Sequence, residues 1–372
     1  MTEKRQKTDV QTGQSGGFAK EALKKAAAGE ELEKAHLVAL LAAEGEMKNQ
    51  LFRLADEVRA KYMGNQVHLR GIIEFSNYCI QNCLYCGLRH DNTKLFRYRI
   101  EPEEILAIAR QAAALGYGTL VLQSGEDPWY TAEMLADLVR QIKESLNVAV
   151  TVSAGERERA DYELWREAGA DRYLLKHETA DPGLYARLRP GHQLAERVEK
   201  LQWLRELGYQ VGSGCMVGLP GQTLETLALD LMLLKELDVE MAGLGPFIPH
   251  GETPLAGERS GSADLTLNLL ATARLVLPWT HLPATTSLGT VDAQGRQKAL
   301  QVGANVVMPN VTPARYREHY QIYPGKICQQ EEPDHCRGCV EGWVTALGRE
   351  IGHGWGQSPK SGGWHPAPDN LN

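Results

Sequence analysis

The sequence predicts an α/β fold: a complete (βα)8 barrel of the TIM type, preceded by N-terminal helices and followed by a C-terminal extension. Three observations predict it. Short β-prone runs begin near Leu69 and recur as far as residue 309. Amphipathic stretches of helical period separate them, the pattern of βαβ units around a parallel sheet. The rhythm stops at residue 311, where a second group of cysteines and a Gly/Trp/Pro-rich end take over. Eight strand candidates with seven helical stretches between them fit a closed barrel, with a doubly wound open sheet as the competing arrangement.

Residues 1–18 open with the polar run MTEKRQKTDVQTGQSGG, which lacks the apolar core of a secretory signal, and a mobile tail is expected there. Helices are expected over 19–68, because Leu37, Leu40 and Leu41, then Leu51, Leu54 and Val58, recur at three- and four-residue spacing. The barrel is expected over 69–310. Its strand candidates are GIIEF (71–75), TLVLQ (119–123), VAVTV (148–152), DRYLLK (171–176), YQVGSGCM (209–216), EMAGLG (240–245), LPATTS (282–287) and ANVVMP (304–309). Its helices are expected over 102–115, 129–145, 157–168, 193–207, 222–237, 263–276 and 292–301. The extension, 311–372, closes on GHGWGQSPKSGGWHPAPDN, a composition expected to fray.

A chain of 372 residues with 43% hydrophobic content can bury a large core without disulfides. Its net charge of −7 and lack of a long basic run argue against nucleic acid as a partner. The longest apolar run, Leu37 to Ala43, is far shorter than the roughly 18 residues of a membrane span. A cytoplasmic setting is therefore expected, where thiols stay reduced and clustered cysteines bind metal more often than they pair. The seven cysteines fall as Cys79, Cys83 and Cys86, then Cys328, Cys336 and Cys339, with Cys215 alone, which suits metal sites better than disulfides.

The strongest signal is Cys79-Ile-Gln-Asn-Cys83-Leu-Tyr-Cys86, directly after the first strand candidate. Three thiolates at this spacing can wrap one face of a 4Fe–4S cluster and leave one iron open to a further ligand. The loop after a barrel strand also lies at the C-terminal rim, where barrel active sites sit. Structural zinc, with His68 or His90 as fourth ligand, is the plainer alternative, although zinc motifs usually pair their cysteines at two separated knuckles. The triplet, with an aromatic residue before its last cysteine, resembles the signature of the radical S-adenosylmethionine (SAM) superfamily. That resemblance implies a cluster whose open iron holds SAM, reduced by an electron donor, and one-electron cleavage to a 5′-deoxyadenosyl radical.

A SAM site needs groups for its methionine end, ribose and adenine. Gln123, Ser124, Gly125 and Glu126 end the second strand candidate, where the superfamily carries a Gly-rich motif, and Gly125 permits close backbone approach. The same stretch also reads as a plain turn. Ser153 directly follows the third strand candidate. Glu178, after the fourth, offers a carboxylate, and Arg197, 19 residues on, a guanidinium for the SAM carboxylate. Without the resemblance Arg197 reads as a solvated helix-face arginine. Arg70, Thr151, Met216, Met241, His250, Thr285, Thr286 and Met308 lie near other strand ends. Among them Arg70, Thr285 and Thr286 suggest an anionic small-molecule substrate, while the methionines read as core and His250 reads equally as ligand or loop residue. Cys328, Cys336 and Cys339, with His335 adjacent, fit a second iron–sulfur cluster of structural or electron-relay role, or Cys3His zinc.

Across 69–339 the blocks RGIIEFSNYC, CLYCGLR, VLQSGEDP, ADRYLLKHET, MVGLPGQT, GPFIPHGETPLA, PATTSLGT, NVVMPNVTP and YPGKIC resemble, in one order, the HydE family of radical SAM maturases of FeFe-hydrogenase. The resemblance implies a complete barrel and a part in assembling the two-iron portion of the hydrogenase H-cluster. It implies a cysteine-bound iron carbonyl–cyanide substrate supplied by the HydG maturase, and a product passed toward HydF. It places Cys79, Cys83, Cys86, Glu178 and Arg197 at cluster and SAM positions, and Arg70, Thr151, Thr285, Thr286 and Met308 in the cavity. Methylornithine synthase is a related alternative without an expected C-terminal triplet. Biotin synthase needs further barrel cysteines, and only Cys215 is available. A non-catalytic iron–sulfur carrier would leave Gln123–Pro128 and Glu178 with Arg197 unexplained.

Overall fold

The structure, a computed structural model, describes residues 17–360. The tail expected over 1–18 lies almost wholly outside the described residues, as does the end of the extension, 361–372. Three helices lead in: α1 (17–28), α2 (Lys34–Leu41) and α3 (Gly45–Met63). Leu37, Leu40, Leu41, Leu51 and Ala55 bury their apolar faces against the body of the protein. Asn268 fixes the turn between α2 and α3, its amide donating to the carbonyls of Leu41 and Ala43 at 3.0 Å each.

The body alternates strand and helix. In order come β1 (Gln66–Ser76), α4 (Pro102–Ala114), β2 (Thr119–Ser124), α5 (Ala132–Ser145), β3 (Ala149–Ser153), α6 (Arg159–Glu167) and β4 (Arg172–Leu174). Then follow α7 (Pro182–Leu188), α8 (Leu194–Glu206), β5 (Gln210–Ser213), β6 (Met216–Val217), α9 (Leu224–Glu236), β7 (Met241–Ala242), β8 (Gly245–Pro246) and α10 (Ala263–Val276). The chain ends with α11 (Thr286–Val291), α12 (Gly295–Gln301), β9 (Val306–Val307), α13 (Ala314–Arg317), α14 (Pro333–Ala346) and β10 (Glu350–Ile351). Parallel ladders run β1-β2-β3-β4-β5-β7, and β9 and β10 also pair with β1, so the sheet curls. Between β7 and β9 the pairing reduces to single parallel bridges, Met241 with His281 and Pro283 with Val306.

Alternation along β1 sorts its side chains. Val67, Leu69, Ile73 and Phe75 join the apolar core, whereas His68, Arg70 and Glu74 meet partners from across the sheet and from the C-terminal part of the chain. All seven helices predicted between strands form, with ends moved by a few residues. The strand predicted over 282–287 is corrected: Thr285 caps α11, its hydroxyl accepting from the Leu288 N–H, and this local bond competes with a ladder. α7, α11, α13 and α14 were not predicted.

The expectation of a fraying end is also corrected for its described part. Residues 352–357 lie across the N-terminal ends of the strands. The Arg172 guanidinium donates to the carbonyls of Trp355 and Gly356 and to Gln357 Oε1, at 2.7, 3.2 and 2.8 Å. Thr119 donates to the Trp355 carbonyl as well. A Cβ at Gly356 would stand 2.7 Å from His68 Nδ1, so the glycines let this segment seat against the imidazole.

Candidate active site

The three cysteines of the first triplet leave β1 in a loop fastened at its neck. The Asn77 amide donates to the carbonyls of Phe96 and His319 at 2.8 Å each, and its oxygen accepts from the Tyr98 N–H. Arg97 gathers four carbonyls, those of Asn77, Leu88, Arg89 and Asn92, from both limbs of the loop. Glu126 is woven into the same loop, its N–H pointing at Cys79 Sγ at 3.4 Å and its carbonyl accepting from Ile80. Gly125 makes this closeness possible, because a Cβ there would lie 2.1 Å from the Tyr78 carbonyl oxygen. His250 packs on Gly87 of the loop and accepts from the Glu252 N–H, a loop-bracing position.

Cys79, Cys83 and Cys86 are half-buried free thiols. Burial raises all three above the ordinary thiol range, Cys79 to about 11, and for Cys86 the other two thiols add to the effect. Loading a metal here therefore releases protons. Among the described residues, the three-donor group close enough for a single ion is instead His177, Cys215 and Asp230. Thiolates on one zinc stand about 3.8 Å apart, from Zn–S bonds of about 2.3 Å in a tetrahedron. Cys79, Cys83 and Cys86 do not form a group whose donor atoms all lie within 4.8 Å of one another.

Charged side chains from three strand ends surround this loop. Arg197, on α8, is buried and not solvated. Its Nη2 lies 2.6 Å from Glu156 Oε1, its Nη1 donates to the Lys176 carbonyl and its Nε to the Tyr185 hydroxyl. Arg189 reaches Glu156 at 3.5 Å and Glu126 at 3.8 Å, and Lys200 reaches the other Glu156 oxygen at 3.7 Å. Burial raises the Glu126 carboxyl, opposed by Arg189 and a 2.5 Å hydrogen bond from Gln81. Glu178 takes a left-handed conformation, φ 65°, and its buried Oε2 has no hydrogen-bond partner, with Lys176 Nζ 3.1 Å away. Gln123 donates to the Tyr320 hydroxyl at 3.3 Å, Ser124 to the Gly125 carbonyl and Ser153 to the Leu174 carbonyl.

Deeper in the curl, Arg70 is buried and makes no ion pair among the described residues. Its Nη1 faces Met241 Sδ, its Nη2 donates to the Gly356 carbonyl and its Nε has no partner. Thr151 Oγ1, also buried, is likewise unpartnered. Burial, with Arg172 nearby, lowers the Arg70 pKa, so an anion would find an uncompensated cation here. Met308 is half-buried, while Thr285 and Thr286 are half-buried at the start of α11 with the Thr285 hydroxyl engaged in capping. The Glu74 carboxylate pairs with buried Lys326 and accepts from Asn310 at 2.6 Å. Sequence reasoning missed Glu156, Arg189, Glu74, Lys326 and Tyr320. A charged residue just past a strand end flags Glu156, but nothing local marks the others.

In the second triplet, Cys328 precedes α14, and Cys336 and Cys339 lie one turn apart on it, Cys336 buried and Cys339 exposed. Cys336 and Arg296 hold the Cys328 thiol below its ordinary range. His335 is exposed on the same helix.

The model of the radical SAM superfamily matches residues 73–234. The chain is 55% identical to the FeFe hydrogenase maturase subunit HydE of Thermotoga maritima over 306 residues, 82% of this chain and 88% of that one. The crystal structure of methylornithine synthase superposes with a TM-score of 0.80 at 30% identity, covering 89% of this chain and 97% of that one. The FeFe-hydrogenase maturase HydG from Carboxydothermus hydrogenoformans superposes with a TM-score of 0.76 at 19% identity, covering 91% and 80%, a likeness of fold alone.

Proposed function

The chain belongs to the HydE family of FeFe-hydrogenase maturases, radical SAM enzymes, and from that premise we propose how its own residues divide the work. Cys79, Cys83 and Cys86 ligate the 4Fe–4S cluster. Gln123, Ser124, Gly125, Glu126, Ser153, Glu178 and Arg197 surround SAM. When bound, cluster and SAM together supply one-electron cleavage to a 5′-deoxyadenosyl radical. The protein holds the cluster loop by Asn77 and Arg97, offers Arg197 and Glu178 as opposite charges for the zwitterionic methionine end, and keeps bulk water from the reacting end. Two buried polar atoms without partners, Arg70 Nε and Thr151 Oγ1, support the fit, since such atoms persist where a ligand satisfies them.

Arg70, Thr151, Thr285, Thr286 and Met308 line the substrate cavity, and the substrate is a cysteine-bound iron carbonyl–cyanide complex received from HydG, with its sulfur as the atom the radical chemistry acts on, its product passing toward HydF. The observation that carries this reading is the cation Arg70, buried with no ion pair among the described residues and with its Nε unpartnered, where an anionic complex would neutralise it. The bridges from Met241 through His281 and Pro283 to Val306 support a closed barrel over 69–310, flanked by the helices of 19–68 and the extension from 311. The second triplet is read as an accessory iron–sulfur site. The seven free cysteines and the lack, among the described residues, of a helix long and apolar enough to cross a membrane support work in the cytoplasm.

The test is 5′-deoxyadenosine release by anaerobically reconstituted, reduced protein given SAM, with Cys83→Ala as control. Parallel reactions contain no substrate, lysine or the cysteine–iron complex. Acceleration by the iron complex, abolished in the variant, is expected. Acceleration by lysine instead would move the activity toward methylornithine synthesis, and no release from a protein holding four irons in the first cluster would favour a carrier.

A further inference from the structure

Beneath Glu178 lies a cluster of side chains that the reaction does not use. His177, Cys215 and Asp230 are fully buried, and their donor atoms lie within 4.8 Å of one another. A single ion is one reading, but the nitrogens are already engaged. His177 Nδ1 meets Ser213 Oγ at 2.9 Å and its Nε2 meets Asp230 Oδ1 at 3.1 Å. The same Asp230 oxygen accepts from the Ala180 N–H at 2.5 Å, and its other oxygen is buried without a hydrogen-bond partner. One carboxylate thus grips the 177–180 turn on both sides of Glu178.

Glu178 has reason to need a grip. Its φ of 65° is in the left-handed region that side chains other than glycine avoid. Such a conformation persists where the surroundings over-determine it. The Glu178 backbone is held by two further bonds, its N–H to the Gly214 carbonyl and its carbonyl from the Met216 N–H. Those bonds fix the peptide, whereas the grip from α9 sets which way the turn faces. Asp230 is fully buried in mid-helix, where a carboxylate is costly unless its acceptors are used.

We propose that Asp230 is a positioning residue, holding Glu178 in its left-handed turn through His177 and the Ala180 amide so that the Glu178 carboxylate faces SAM. The inference rests on the reading of Glu178 as a SAM contact. The test uses cluster-loaded protein and measures SAM affinity by equilibrium dialysis, with the SAM-induced change in the electron paramagnetic resonance spectrum of the reduced cluster as a second readout. Asp230→Leu keeps the volume and removes both acceptors. It is expected to weaken SAM about tenfold, the worth of one well-placed hydrogen bond to a charged group, with iron content unchanged and the spectral change recovered at higher SAM. Asp230→Asn, which keeps an acceptor oxygen, is expected to restore most of the affinity. Glu178→Ala should weaken SAM as well, and adding Asp230→Leu to it should cost little more.

If Glu178→Ala weakens SAM while Asp230→Leu loses only thermal stability, the positioning role is overturned and the Glu178 reading stands. If Glu178→Ala binds SAM like the parent, both fall. Stoichiometric zinc in the parent, lost from Asp230→Leu, would overturn the proposal in favour of an ion site. Should Asp230→Leu fail to fold, His177→Phe cuts one tie from the other side, and unchanged SAM affinity there overturns the proposal equally.

Discussion

Replacing Glu156 by glutamine tests the charge arrangement around Arg197. One carboxylate faces three cations, with Arg197 Nη2 at 2.6 Å, Arg189 Nη1 at 3.5 Å and Lys200 Nζ at 3.7 Å. Arg197 and Arg189 are about 5% and 4% exposed at the side chain, so water screens them poorly. Glutamine keeps the shape and one acceptor but removes the charge. Breaking a buried pair from one side costs about 3–5 kcal/mol, and Glu126 at 3.8 Å from Arg189 leaves some compensation, so about 3 kcal/mol is the expectation. At about 2.1 cal/mol/K per residue, 372 residues give an unfolding entropy of about 0.8 kcal/mol/K, and the loss becomes a fall of about 4 °C in Tm. The assay is thermal unfolding at one fixed scan rate, anaerobically, with the cluster loaded, because such proteins rarely refold. If Arg197 receives the SAM carboxylate, SAM should raise the Tm of Glu156→Gln more than that of the parent. A fall of under a degree would refute the electrostatic argument, and equal stabilisation by SAM would refute the role given to Arg197.

Two further outcomes are expected. Burial, with Arg70 and Arg172 close by, holds His68 down at about 4 against 6.5 for the free side chain, so the unfolded chain takes up the proton first and stability, full above pH 6.5, falls as the pH drops toward 4. That linkage is worth about 2 kcal/mol by pH 5; His68→Asn should flatten the fall in urea midpoint between pH 7 and 5, and an unchanged slope would remove His68 as its source. Changing Cys328, Cys336 and Cys339 together to alanine should leave SAM cleavage largely intact, since the site sits against Arg296 of α12 and Arg317 of α13 rather than against the first triplet's loop; complete loss of cleavage in a folded, cluster-loaded protein would make that triplet catalytic.

What could be read in advance follows from where each bond closes. The strand–helix rhythm and the Cys-x3-Cys-x2-Cys loop are local patterns, and they were legible. The 282–287 run has strand composition, but one hydroxyl at Thr285 turned it toward a helix. Glu74 and Lys326 meet across 252 residues, and Arg70 and Met241 across 171, distances over which no periodicity carries information. Arg197 looked like a surface arginine because α8 is polar in composition; its burial depends on Glu156, supplied by the end of β3. The Gly/Trp/Pro run misled because such composition lowers local propensity, while residues 352–357 are held by bonds from Arg172 and Thr119 that local propensity does not register.

The same C-terminal segment meets both Arg70 and Arg172. Arg70 and Arg172 are both buried arginines without a carboxylate at bonding distance, and sequence alone gives no reason to assign an anion to one over the other. Arg172 has Gln210, Thr119, Trp355, Gly356 and Gln357 as acceptors, so every nitrogen of its fork is used by protein. Arg70 has one carbonyl from the same segment, a thioether and an unpartnered Nε. Carbonyls satisfy hydrogen bonds but carry no full charge, so both guanidiniums keep their field while only one keeps a free donor. The C-terminal segment therefore does two things at once. It occupies the N-terminal end of the strands, and it completes the acceptors around Arg172 while meeting only Nη2 of Arg70, whose Nε stays without a partner.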